Sequence, residues 1–230
     1  MPKWEILPDD YFSRIGSDPK DFETRLCLPI IPEVRKIIPL RDIRKIQTVI
    51  PMTVAMLDYL VRHIKTLDGD LPFAHAEISE IEIYPKVLEV GQRFIFREKW
   101  IAILEEFPKM IKGSPAGNGG LKGINACFIF GYDETGAYVM ACYLPPLIEM
   151  HGSKMAVMDG IHRSWIAMSA GTMPKAILIK HIQSPFPCGL RPWEATKVIS
   201  VAEKPPRLED RYFEMQKGLF RDLKHLGIDG

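Results

Sequence analysis

At 230 residues, with 47% apolar and 26% charged side chains, the chain has the balance of a globular protein with enough apolar material for a sizeable core. A formal net charge of +1 excludes a whole-molecule field drawing the protein to nucleic acid, while leaving a local basic face open. The four cysteines, at 27, 127, 142 and 188, form no CxxC pair and exclude a zinc ribbon or a small disulfide scaffold.

The cysteines read as reduced, mostly buried thiols of a cytoplasmic protein. The start, MPKWEILPDDYF, lacks the basic and apolar regions of a secretion signal, and no apolar run approaches the roughly 20 residues of a membrane span. Residues 1–35 are Pro/Asp-rich and read as an irregular N-terminal extension. KIIPLRDI (36–43) reads as a strand running into a loop. PMTVAMLDYLVRHIKTL (51–67) predicts an amphipathic helix, with Met52, Met56, Leu60 and Ile64 at helical spacing and Pro51 at its first position. LPFAHAEI reads as a return strand.

ISEIEIYPKVLEV alternates like a strand. REKWIAILEEFPKMI looks helical, with Pro108 limiting or kinking it. GSPAGNGGLKG (113–123) reads as a flexible loop. It is no phosphate loop, because Lys122 is followed by Gly123 and not by Ser or Thr. ACFIFGYDETGAYVMACYL predicts a hairpin around Asp133–Gly136, and PPLIEMHGSKMAVMDG two short strands turning at His151–Ser153. KAILIKHI (175–182) predicts a strand. The tail is Pro-rich to Pro206, and then a final helix is expected, with Leu208, Tyr212, Met215, Leu219 and Leu223 on one stripe.

MDGIHRSWIAMSAG carries the candidate site. Asp-Gly between apolar runs signals a hairpin. Against that, Ile161, Trp165 and Met168 fall at helical spacing, and Gly171 stands where a helix end wants glycine. The alternative to a hairpin is therefore a strand–glycine–helix elbow capped by Asp159. Such a helix start has unpaired N–H groups and a positive dipole end, which together accept phosphate oxygens. Gly160 and Ile161 would supply backbone, His162 and Arg163 charged or polar donors, and Ser164 a hydroxyl. Asp159 would cap the helix, pair with Arg163 or hold magnesium. His63, His75, His151, His181 and His225 show no metal-ligand spacing.

PPLIEMHGSKMAVMDGIHRSWIAMSAGTMPKAILIKHI resembles the core of the ParB/sulfiredoxin superfamily, where a strand pair leads into Asp-Gly-x-His-Arg, a short helix and a strand. IIPLRDIRKIQTVIPMTVAMLDYLVRHIKTLDGDLPF is similar to that family's start. An alternative alignment begins at ISEIEI and takes WIAILEEF as the first helix. The resemblance implies an α/β (α+β) fold, a small mixed sheet with flanking helices. Its core would span 36–182 with a large insertion at 77–144, followed by a Pro-rich and helical C-terminal extension at 183–230.

It further implies a nucleotide, ATP or ADP among others, at Gly160, Ile161, His162, Arg163 and Ser164, with Asp159, His162 and Arg163 as catalytic residues and Mg2+ at Asp159. Arg44, Lys45 and Gln47 would form a second phosphate wall. Ile161 replaces the sulfiredoxin cysteine, which points away from repair chemistry, and Gln47 replaces the glutamate of the serine kinases. The function expected is a nucleotide-binding protein that hydrolyses or transfers a phosphoryl group onto a small-molecule or protein acceptor. A DNA-binding or DNA-cleaving protein and a non-catalytic nucleotide sensor are the alternatives.

Overall fold

The computed structural model describes Val34, residues 38–113 and residues 125–223, with the side chains of 106–113 excepted. The expected N-terminal extension, the GSPAGNGGLKG loop after Gly113, and the end of the chain from Lys224 lie outside the described residues. The fold is mixed α/β, with several sheets and few helices.

In chain order the elements are β1 (Lys45–Pro51), α1 (Val54–Arg62), β2 (Lys65–Thr66), β3 (Glu77–Glu82), β4 (Glu89–Val90), β5 (Phe94–Phe96) and α2 (Arg97–Gly113). There follow β6 (Cys127–Tyr132), β7 (Tyr138–Tyr143), β8 (Leu147–His151), β9 (Lys154–Asp159), α3 (Ile161–Ser169), β10 (Lys175–Lys180), β11 (Lys197–Ile199) and β12 (Arg221–Asp222). The main sheet has the order β3-β10-β8-β9-β4. In it β10 runs parallel to β8 and β9 parallel to β4, while β10–β3 and β8–β9 are antiparallel. A second sheet has the order β1-β6-β7, all antiparallel.

The main sheet is covered on both faces, and β10 shows why its sequence is an unbroken apolar run. Ile177 and Ile179 point into a core with Leu60, Val61, Phe73, Phe128 and Phe130, supplied by α1, the turn before β3, and β6. Ala176 and Leu178 point the other way, against Ile161, Ile95 and Trp193. A strand buried on both sides needs apolar residues at every position rather than at alternate ones.

Several local expectations are corrected. The segment 36–43 is not a strand: Leu40–Asp42 forms a 3-10 turn and the strand starts at Lys45. The first helix is shorter than 51–67, because Thr53 caps it. The Thr53 hydroxyl accepts from Met56 N at 3.2 Å, which leaves Pro51 in β1. LPFAHAEI turns before it extends, and only from Glu77 does it pair. ISEIEIYPKVLEV divides into β3, a 3-10 turn at Pro85–Val87 and β4. The helix α2 continues through Pro108 to Gly113.

Residues 77–144 are no appendage. They supply both edge strands of the main sheet, β3 and β4, the helix α2, and the β6–β7 hairpin that pairs with β1.

The expected C-terminal helix is absent between 207 and 223; the segment forms 3-10 turns and the short strand β12. Its stripe of Leu208, Tyr212, Met215, Leu219 and Leu223 is helical in spacing only. Glu214 has a left-handed φ of 44°, which stops a helix at its centre. The backbone there bonds to distant chain instead: Phe213 N donates to Gly91 O at 2.9 Å and Gly189 N to Phe213 O at 2.7 Å. Tertiary partners override propensity here.

Candidate functional site

At the C-terminal end of β9 the chain turns through Gly160 into α3. The elbow reading is the observed one, and the hairpin reading of Asp-Gly is not. Gly160 is the residue before the helix, with φ 84° and ψ 28°. A Cβ there would lie 2.9 Å from Arg163 Nη2 and 3.0 Å from Pro146 Cα, so both the conformation and the space demand glycine. No side chain caps α3. Of the roles expected for Asp159, pairing with Arg163 is the observed one and capping is not: its Oδ2 lies 2.7 Å from Arg163 Nη2.

Arg163 is held on three sides. Besides Asp159, its Nη1 donates to Leu144 O, and its guanidinium lies 5.2 Å from the centre of the Tyr143 ring. Side-chain exposures of 17% for Arg163 and 8% for Asp159 make this a largely buried pair. Burial opposes the charge on Arg163, but Asp159 and Tyr143 outweigh it and hold the guanidinium above its ordinary pKa.

His162 turns inward. Its Nε2 accepts from Phe96 N at 3.0 Å, which requires the neutral tautomer protonated on Nδ1. Burial, then the charges of Lys99 and Arg163, pull the imidazole down to about 4. It is therefore neutral near pH 7, and it ties the start of α2 to the start of α3. Ser164 is 1% exposed and does not line the cavity described next, so its hydroxyl is not part of the lip.

The elbow opens into a cavity of about 490 Å3, a size that suits a small organic ligand. One wall is the stripe Lys99, Ala102 and Ile103 of α2, spaced one helical turn apart. The floor is Cys142–Leu144 with Val157–Arg163, and the far wall comes from Phe186–Cys188, Tyr212 and Phe220–Leu223.

Gly160, Ile161, His162 and Arg163 line this cavity together; Arg44, Lys45 and Gln47 do not. Lys45 pairs with Tyr132 at the start of the second sheet, and Arg44 faces Glu134 at 3.8 Å on the surface. Residues of α2 line the cavity instead, among them Lys99, which sequence reading did not single out. Its signal was faint: Lys99, Ala102 and Ile103 share a helix face, but nothing local says which face meets Gly160.

At the far wall Arg221 makes a two-pronged ion pair with Glu149, Nε to Oε1 and Nη2 to Oε2, both at 2.9 Å, with side-chain exposures of 1% and 0%. His151 Nε2 lies 2.7 Å from the same Oε2. The cysteines near the site are poor nucleophiles. Burial raises the Cys188 thiol to about 12 and pushes Cys142 up as well.

Magnesium does not fit the described site. The only carboxylate of the elbow, Asp159, is committed to Arg163, and no group of three or more His, Cys, Asp or Glu residues converges among the described residues. No protein-family model, curated protein or solved structure matches this chain. No helix among the described residues is long and apolar enough to cross a membrane.

Proposed function

We propose that this protein binds the phosphate of a nucleotide at the Gly160–Arg163 elbow, on a core of ParB/sulfiredoxin type. One observation carries the reading. An uncapped helix start, reached through a glycine that admits no side chain, lines a half-open cavity together with Lys99 and Arg163. The order antiparallel β8–β9, glycine elbow, α3, then β10 beside β8 follows what the resemblance implies and supports it.

The roles within the site are distinct. The first N–H groups of α3 meet phosphate oxygens. Lys99 supplies a charged donor from the opposite wall. Arg163 neutralises charge from a fixed position, since Asp159 and Leu144 O set its guanidinium in place. His162 braces the two helix starts. No feature of the cavity favours DNA over a nucleotide.

The test is calorimetric titration with ATP, ADP, CTP and GTP, with and without magnesium, on the wild type and on Gly160→Ala and Arg163→Ala. Binding by the wild type at millimolar nucleotide or below is expected, weakened about tenfold or more by either substitution, a change of about 1.4 kcal/mol. No binding by the wild type ends the proposal. Unchanged binding in both variants moves the site elsewhere.

A further inference from the structure

A phosphate at the elbow carries something with it, and the chain beside the elbow bears on what that is. β4 and β9 run parallel, with Glu89 opposite Ala156 and Val90 opposite Val157. Two residues beyond this register come Gln92 on one chain and Asp159 on the other, so Gln92 leaves its strand beside the turn into α3. Neighbouring strands lie roughly 4.8 Å apart, about the width of one sugar ring. The crevice beyond the carboxyl ends of parallel strands is where ligands of α/β sheets sit. Gln92 is bridged there to Tyr212, and both residues line the cavity. Burial first, and the charge of Asp159 among the lesser causes, raise the Tyr212 phenol. Tyr212 therefore keeps its proton near pH 7 and stands within electrostatic reach of the elbow.

The two side chains make one hydrogen bond with each other and leave capacity unused. Gln92 Nε2 donates to Tyr212 Oη at 3.2 Å, while the buried Oε1 has no partner. The O–H of Tyr212 then has no acceptor among the described residues. Turning the amide over exchanges its ends without changing its shape. Tyr212 would then donate to Oε1 and keep a lone pair to spare. In one orientation Tyr212 offers a donor, in the other an acceptor, and a hydroxyl group satisfies both. A buried amide left half unsatisfied costs stability, and leucine would fill the same space without that cost. What glutamine adds is the bond that fixes the Tyr212 hydroxyl.

We infer that Tyr212 binds a sugar hydroxyl of a ribonucleotide whose sugar-bearing phosphate sits at the Gly160 elbow, and that Gln92 positions the Tyr212 hydroxyl for it. This rests on the nucleotide reading above and adds a sugar contact to it. A group beside the elbow meets whatever is joined to the phosphate, which in a nucleotide is the sugar.

The experiment is calorimetry with ATP, ADP, CTP and GTP, each in its ribo, 2′-deoxy and 3′-deoxy form, and with inorganic triphosphate, on the wild type, Tyr212→Phe and Gln92→Leu. For the nucleotide that binds the wild type most tightly, loss of one of the two hydroxyls should weaken binding about five- to tenfold. Tyr212→Phe keeps the ring against Phe220, with centres 4.8 Å apart, and should bind ribo and deoxy forms alike. Gln92→Leu should shrink the same preference while leaving inorganic triphosphate unchanged, which a general loss of structure would not do. Thermal melts matching the wild type exclude loss of fold, and the wild-type comparison needs no variant. If the wild type binds all three sugar forms equally, the inference fails and the nucleotide site stands. If Tyr212→Phe keeps the full preference, the sugar contact is overturned. If Gln92→Leu keeps it, the positioning role is overturned. If nothing binds the wild type, both proposals fail.

Discussion

Two buried ion pairs contribute to one cavity, and they were made in different ways. Asp159–Arg163 joins residues four apart across a glycine elbow, with the partners 8% and 17% exposed. Glu149–Arg221 joins residues 72 apart in the chain, both prongs engaged and both side chains at 1% exposure or less. The first belongs to local geometry. It exists as soon as β9 turns into α3, because the Gly160 elbow brings the end of the strand back against the first turn of the helix. The second exists only when the C-terminal segment has docked, and it holds that segment together with the β12–β2 pairing and the backbone bond from Phe213 N to Gly91 O. Arg221 also donates to Leu219 O and Pro185 O, so one side chain secures two passages of a segment with little regular structure of its own.

The difference predicts unequal costs. Arg221→Ala would strand the Glu149 carboxylate in the interior. It should destabilise by about 3–5 kcal/mol in urea unfolding, and Glu149→Met combined with Arg221→Met should recover most of the loss. A recovery of nothing would mean that the pair contributes through the backbone bonds of Arg221 rather than through charge.

Next in size is a pH effect at the local end. An unfolded histidine titrates near about 6.5, and His162 in the fold at about 4. Between these values the unfolded chain binds the proton more readily. Stability is therefore full above about pH 6.5 and falls as pH drops towards 4, by on the order of 3 kcal/mol. His162→Gln keeps an acceptor for Phe96 N and should flatten this slope, measured by urea unfolding at pH 7, 6 and 5.

The smallest effects compare two pairs of identical spacing. Asp159→Asn removes a buried partner of Arg163 and should cost about 1–3 kcal/mol. Asp58→Asn breaks the Asp58–Arg62 pair, equally i and i+4 but 39% and 32% exposed, and should cost roughly 0.3–0.5 kcal/mol. Equal costs would show that spacing, not burial, sets the value of these pairs.

What could be read from the chain follows the same division. The hairpin around Asp133–Gly136, the turn at His151–Ser153, the helix after Gly160 and the strand from Lys175 were legible, since alternation, turn residues and helical spacing act over a few residues. The elbow was legible too, because Ile161, Trp165 and Met168 outweighed the hairpin signal of Asp-Gly. Arg44, Lys45 and Gln47, expected as a second wall, do not line this cavity. The helical stripe from Leu208 to Leu223 misled for the opposite reason, as Leu208, Tyr212 and Leu223 line the cavity without forming a helix.

By itself, then, the sequence determined the turn at Gly160, the helix that follows it and the pairing of Asp159 with Arg163 in reach, because these depend on backbone freedom and on i, i+4 geometry. Only the tertiary structure decided that Lys99 faces that turn, that His162 is neutral and bonded to Phe96, and that Arg221 is buried on Glu149. Those outcomes depend on which surfaces exclude water from one another. That exclusion joins residues 66 and 72 positions apart, a distance at which no local spacing carries information.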